Sequence, residues 1–285
     1  MARKRPVTEG RTPFGVRRER MAAALLGILA SCAVIPEGSV PEVALSTDLS
    51  TQYNFRGIPN NERGVLQAST DVILPTKVET GELTFKAWAN LDLSNSTGDA
   101  WFPDGHAGEP SQIDLHASYS ETYRGFDVAF GIVSYALQNP DDFVLSVTGE
   151  RGETKEFFAS ASRPIAYGLV PSITMHWDFD EVRGVYLNAA LFREFPIRDK
   201  WVADTTLSLG YSDESQSDWN YGVEETGLAD LRLRGGISYF LDRHTTIRSS
   251  LVFSTIIDSD LQEWFDLIGV DSDNIWFTLG ATWSY

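Results

Sequence analysis

From Val43 onward the chain alternates between apolar and polar residues with a period of two. One row of the first segment reads Val43, Leu45, Thr47, Leu49, Thr51, Tyr53, Phe55, and the other Ala44, Ser46, Asp48, Ser50, Gln52, Asn54, Arg56. That is the period of a β-strand with one oily and one polar face. The same pattern predicts about twelve strands, near 43–56, 64–74, 82–94, 111–121, 126–136, 153–163, 168–179, 184–195, 201–212, 228–240, 245–257 and 273–285. Strands of soluble sheets are commonly about five or six residues long. These are longer and suit tilted membrane strands of about 9–11 residues with rim extensions. Segment 201–212 is the clearest: Trp201, Ala203, Thr205, Leu207, Leu209 and Tyr211 form one row, with aromatics bracketing an aliphatic middle. Amphipathic rings at both ends of such a row fit two membrane interfaces. Tyr53 with Phe55, Trp177 with Phe179, Phe195, Tyr239, and Trp283 with Tyr285 are expected in the same belts. Adjacent Phe157 and Phe158 leave the facing of segment 153–163 ambiguous.

The connections carry independent information. If the first strand rises from the periplasm, links after even strands are short: Pro75–Gly81, Thr122–Gly125, Pro164–Tyr167, Pro196–Lys200 and Leu241–His244. Four links after odd strands are long: Asn95–Pro110, Leu137–Gly152, Asp213–Gly227 and Asp258–Ser272. Short periplasmic turns, longer outer loops and an even strand count together describe an outer-membrane barrel. A soluble jelly roll or lectin sandwich has no reason to show all three. The expected fold is therefore all-β: a single antiparallel transmembrane β-barrel of about twelve strands, with short periplasmic turns and longer acidic outer loops.

Composition is compatible with this. A mean hydropathy of −0.17 looks soluble, but a membrane barrel hides half of its strand residues in a polar lumen. The formal charge of −17 argues against nucleic acid as a partner, because a phosphate backbone demands the opposite sign. Arg17, Arg18 and Arg20 precede an apolar stretch from Met21 to Ile35, the layout of a secretory leader. Within that stretch Leu29-Ala30-Ser31-Cys32 is similar to a bacterial lipobox, which would make Cys32 a lipidation site after removal of residues 1–31. Ordinary cleavage after Ala33 is the alternative. Residues 32–42 are then a tether and 43–285 the barrel. The single cysteine excludes an internal disulfide.

The last segment, Asp273 to Tyr285, alternates strictly and closes on Trp283 and Tyr285. It resembles the terminal strand of bacterial outer-membrane β-barrels, which the barrel-assembly machinery reads. Near the start, Ser46 to Val72 resembles the opening of the TorF family of porins, with Tyr53, Phe55, Arg56, Gly57 and Gln67 carrying the match and Gln52 standing where that family tends to have aspartate. The resemblance covers one hairpin and implies a porin-like activity without naming a solute.

If solutes pass through, the inward rows matter most. Arg56, Arg232, Arg234 and Arg248 are expected to face the lumen, with Lys86 apart from them, and so are Asp71, Asp92, Asp114, Asp127, Asp178 and Asp204, with His116 and His176 nearby in register. In a twelve-strand ring Asp114, His116 and Asp127 would lie opposite the arginines. Opposed charges across a narrow pore set up a transverse field that discriminates solutes by charge. Alternatively the charges pair with one another and plug the lumen. The outer loops are rich in carboxylates and aromatics, but no loop has the ligand spacing of a calcium-binding repeat. Phospholipid hydrolysis would need a serine activated by a histidine at the lipid-facing rim. Of His106, His116, His176 and His244, none begins a His-x-Ser-Asn-Gly segment. The expected function is passive diffusion of small polar or ionic solutes, with no catalytic residue, cofactor or metal. The expected partners are outer-membrane lipid and lipopolysaccharide. The alternatives are a non-conducting anchor or surface-binding barrel and, less favoured, a lipid hydrolase of a Gram-negative outer membrane.

Overall fold

The computed structural model describes residues 35–36, 38–94, 107–108, 110–137 and 153–285. The leader, Cys32 and the acidic clusters within Asn95–Pro110 and Leu137–Gly152 lie outside the described residues. Strands β1 (Glu42–Ser50), β4 (Val65–Pro75), β5 (Glu82–Asp92), β6 (Pro110–Tyr123), β7 (Phe126–Leu137) and β8 (Glu153–Ser162) form one half of a closed wall. Strands β9 (Leu169–Asp178), β10 (Val185–Arg198), β11 (Trp201–Ser212), β12 (Gly227–Phe240), β13 (Thr245–Ile256) and β14 (Asp273–Ser284) form the other. Each strand pairs antiparallel with the next, and β14 closes the cylinder against β1 with Ala44 opposite Ser284 and Ser50 opposite Thr278. Closure removes every sheet edge, so no backbone polar group is left unpaired in hydrocarbon.

The outward rows carry the apolar residues. Leu45, Leu49, Phe85, Leu115, Ile173, Leu191, Leu207, Leu233, Leu251, Ile275 and Leu279 are all exposed on the outer surface. A cylinder with its leucines outside and its aspartates inside is stable only where lipid covers the outside. Interfacial aromatics gather at the short-turn end: Trp201 packs tilted against Tyr239 at 4.6 Å between ring centroids, and Trp283 stacks on Tyr285 at 5.9 Å. In β8 the register sends Glu156 and Phe158 inward, and Phe157 outward beside Trp177.

Three departures from the sequence expectation concern the loop end. Segment 43–56 is not one strand: β1 stops at Ser50, and a separate two-stranded ribbon follows, β2 (Tyr53–Phe55) with β3 (Ile58–Asn61). Tyr53 is buried rather than part of a lipid-facing belt. The loops after β11 and β13 each fold a helix, α1 (Glu214–Tyr221) and α2 (Ser259–Ile268). Asp213 caps α1 by accepting from the Gln216 amide, and Asp258 caps α2 by accepting from Asp260 and Leu261. Gly222 and Gly269 end the two helices in the left-handed conformation. Part of the loop acidity is therefore capping chemistry. At the other end β10 runs to Arg198, with a register shift between Pro196 and Arg198, so its turn is shorter than the expected Pro196–Lys200.

Candidate functional site: the lumen and its inward ribbon

The ribbon β2–β3 turns into the barrel because its sequence leaves the membrane pattern. Two residues, Arg56 and Gly57, join Phe55 to Ile58, with φ of 51° and 86°. Positive φ at both central positions is the tight hairpin turn whose twist suits flanking strands. A Cβ on Gly57 would stand 2.7 Å from Cδ1 of Ile256 and 2.8 Å from Cβ of Asp230, so only glycine brings the tip this close to the wall. Polar side chains fasten the approach: Gln52 Nε2 donates to Asn274 Oδ1 at 2.6 Å, and the Tyr53 hydroxyl to Gln112 Oε1 at 2.9 Å.

At the tip, Arg56 reaches β8 and pairs with Glu156 at 2.7 Å, with 6% and 2% of the two side chains exposed. Its guanidinium lies against two rings, Phe55 at 4.8 Å and Tyr186 at 4.5 Å. The same Glu156 oxygen accepts from the Tyr135 hydroxyl at 2.9 Å and lies 3.1 Å from His176 Nδ1. Tyr186 in turn donates to Asp230 at 2.8 Å. From behind, the Tyr221 hydroxyl of α1 donates to the Arg56 carbonyl at 2.9 Å. Ile58 joins an apolar cluster with Tyr221 of α1, Leu261 and Phe265 of α2, Val270, and the wall residues Ala229 and Ile256. The loop end of the lumen is thus narrowed by a buried ion pair wrapped in aromatics and backed by two helices.

Nearer the middle, charges pair along the wall. Arg248 holds Asp48 through two hydrogen bonds of 2.6 and 3.0 Å and reaches the Thr282 hydroxyl at 2.6 Å. Gly280, level with both in the register, makes room: a Cβ there would collide with the Asp48 carboxylate. Arg234 pairs with Asp204 on β11, and Lys86 with Asp71 at 3.7 Å. A cavity of 290 Å³ opens beside Asp48, Arg234, Arg248, Ser250 and Thr278.

Arg234, Arg248 and Arg232 share the polar inner face of β12 and β13. The expected transverse field between them and an acidic wall is not what the geometry shows, because Arg234 and Arg248 find carboxylates one or two strands away. Inward side chains on neighbouring strands are about 5 Å apart, far closer than opposite walls. Arg232 differs from its neighbours: it lies 5.7 Å from the Trp276 ring, its Nε has no partner among the described residues, and no carboxylate pairs with it there. Arg56 is off the wall altogether, on the ribbon. Asp114 is buried and accepts from Gln112 at 2.9 Å, and His116 stands in register with Lys86. Asp127 is exposed beside the β6–β7 turn, bonded to Thr122 at 2.7 Å, so it belongs to the inner rim and not to a charge filter.

Glu156, Tyr135 and Tyr186, the lumenal partners of Arg56, were not singled out by sequence. Alternation through 153–163 puts Glu156 on the inward row, which is the signal that could have found it. The histidines carry no serine partner among the described residues: His176 meets a carboxylate, and His244 in its turn lies 2.7 Å from the Ser284 carbonyl. His106 lies outside the described residues.

No protein-family model matches the chain, and no curated protein matches it. Among solved structures, it is similar to the COG4313 outer membrane channel from Pseudomonas putida F1, at 10% identity and a TM-score of 0.50, over 89% of this chain and 98% of that one. NanC porin is similar at 9% identity and a TM-score of 0.49, over 84% of this chain and 98% of that one. KdgM porin is similar at 8% identity and a TM-score of 0.44, over 86% and 99%. The likeness to the Pseudomonas channel shows the fold, and a closed antiparallel barrel with an apolar exterior is one built in bacterial outer membranes.

Proposed function

We propose that this barrel is a porin-like outer-membrane channel for passive diffusion of small polar or ionic solutes, narrowed at its loop end by the β2–β3 ribbon. The observation that carries it is the hydrated-type interior: a 290 Å³ cavity walled by Asp48, Arg234, Arg248, Ser250 and Thr278. A barrel that served only as an anchor gains nothing from leaving such polar space, since dense packing would stabilise it more. Arg232, with no carboxylate partner among the described residues, biases the lumen toward anions, Arg234 and Arg248 neutralise Asp204 and Asp48, and Lys86, Asp114, His116 and His176 complete the lining. Planar-bilayer recording tests this. Stepwise currents are expected from the purified protein, and replacing Arg232, Arg234 and Arg248 together by serine is expected to shift selectivity toward cations, because Asp48 and Asp204 lose their partners. Silence would favour the anchor, and unchanged selectivity would remove the arginines as the filter.

The second reading, a non-conducting barrel acting through its outer loops, is favoured by the Arg56–Glu156 pair, which closes part of the lumen in the resting geometry. The TorF resemblance at Tyr53, Phe55, Arg56, Gly57 and Gln67 supports the channel, since all of these but Gln67, which is on β4, fall on the ribbon that narrows the lumen. Export through a leader ending near residue 31, lipidation at Cys32 and assembly through the terminal strand complete the proposal. Lipopolysaccharide would surround the loop end.

A further inference from the structure

Most inward cations are treated differently by the fold from those at the short-turn rim, Arg232 against Trp276 being the inward exception. In the lumen Arg56, Lys86, Arg234 and Arg248 each hold a carboxylate. At the rim, Arg124, Arg163 and Arg193 have no ion pair among the described residues; each lies instead against an aromatic ring. Arg124 is 5.1 Å from the Tyr123 ring, Arg163 is 5.1 Å from Phe126, and Arg193 is 4.6 Å from Phe195. Lys200 continues the series at 6.0 Å from Tyr239.

These positions follow one another around the cylinder, from the β6–β7 turn to β12, and all are at the same end. Arg124 is in the β6–β7 turn, Arg163 follows β8, and Arg193 is level with Leu169, the first residue of β9. Tyr123, Phe126 and Phe195 are exposed on the outer surface, where the apolar rows end. The short-turn end mixes these cations with carboxylates such as Glu121, Asp127 and Asp199, whereas at the opposite end loops 213–226 and 257–272 carry Asp213, Glu214, Asp218, Glu224, Glu225, Asp258, Asp260, Glu263, Asp266 and Asp271, and no lysine or arginine.

A guanidinium resting against a ring at the hydrocarbon boundary, with no ion pair among the described residues, is placed to donate to a phosphate oxygen. We infer that the arc from Arg124 to Arg193 binds the phosphate groups of anionic phospholipids in the periplasmic leaflet. Two observations favour lipid over lipopolysaccharide: the cations are at the short-turn end, and the loop end, where lipopolysaccharide would lie, is acidic. Contact with the ring keeps each arginine near the headgroup level and limits the side-chain entropy lost on binding. The role rests on the barrel's orientation in the membrane and is independent of whether the lumen conducts.

The test uses the full barrel folded into vesicles of phosphatidylethanolamine and phosphatidylglycerol in equal amounts, extracted gently, with bound lipid counted by native mass spectrometry. The wild type is expected to retain phosphatidylglycerol over phosphatidylethanolamine by about a hundredfold. The variant Arg124→Gln/Arg163→Gln/Arg193→Gln is expected to lose that preference by about fivefold per arginine removed, the ratio one cation contributes near an anionic lipid surface. Lysine at the same three positions should restore most of it, and Arg183→Gln in the outer 179–184 loop should change nothing. If the triple glutamine variant fails to fold, Arg163→Gln alone must still show the fivefold loss. Equal retention of the two lipids by the wild type, or undiminished preference in the glutamine variants, would overturn the inference. Selective retention of lipopolysaccharide from mixed vesicles would overturn it as well.

Discussion

Replacing Arg56 by methionine leaves Glu156 in place with no opposing charge. Both side chains are almost wholly buried, and removing one member of such a pair costs about 3–5 kcal/mol, most of it from the stranded charge. The stranded carboxylate regains water if the ribbon swings out. What holds the ribbon in is the burial of Ile58 and three hydrogen bonds, those of Tyr53 to Gln112, Gln52 to Asn274 and Tyr221 to the Arg56 carbonyl. At about 1.5–3 kcal/mol for the side chain and 0.5–1.5 for each bond, these amount to about 3–7.5 kcal/mol. The two sides are of similar size, so the swung-out state becomes substantially populated. Single-channel recording should then show a larger conductance, or flicker between two levels, where the wild type shows one. Adding Glu156→Gln to Arg56→Met removes the stranded charge, and the ribbon should return with conductance falling back toward the wild-type level. If Arg56→Met conducts like the wild type, or if the second substitution opens the channel further, the ribbon is not held by this pair and the reasoning fails.

Gly57→Ala forces a side chain onto φ of 86° and into Ile256 and Asp230. The strain of about 1–3 kcal/mol should raise conductance as Arg56→Met does, while far-ultraviolet circular dichroism stays that of the intact barrel. Leu207, exposed in the middle of β11, meets lipid, and Leu207→Arg should destabilise the barrel by about 2–4 kcal/mol in denaturant unfolding from vesicles. A change under 1 kcal/mol would mean that this face is not in hydrocarbon. Asp242, fully exposed in the β12–β13 turn, accepts from the His244 and Thr245 amides at 2.8 Å each, and these bonds hold its carboxyl below the usual range. A lowered folded value means that its contribution to stability is present above the unfolded value near 3.9 and lost as pH falls through the folded one. Asp242→Asn should therefore lower stability at neutral pH and leave it comparatively unchanged below about pH 3, which flattens the acid limb of the profile.

How much of the barrel was legible depends on what each residue faces. Segment 201–212 coincides with β11 because every residue there faces lipid or lumen in turn, and a two-sided solvent writes a two-residue period. The same period misled at Ser50: Gln52, Tyr53, Asn54 and Phe55 continue the alternation, yet the chain leaves the wall, because Gln52 and Tyr53 find partners inside. The Arg56-Gly57 turn was the available signal, though a positive φ on arginine is not written in its side chain. Helices α1 and α2 had a signature too, an aspartate cap at 213 or 258 and a glycine at 222 or 269.

Sequence alone determined the class of solvent on each face, the number of crossings and the sidedness of the loops. All three follow from local alternation and loop length, which do not depend on what lies across the barrel. Only the tertiary structure decided which charges meet. Arg56 and Glu156 are 100 positions apart and Arg248 and Asp48 are 200 apart, and nothing in a one-dimensional pattern specifies partners that strand register and an inward fold bring together. Pairing also changes the chemistry: arginines that alternation marks as a positive wall become, once their carboxylates are known, a largely neutral one in which Arg232 has no carboxylate partner among the described residues.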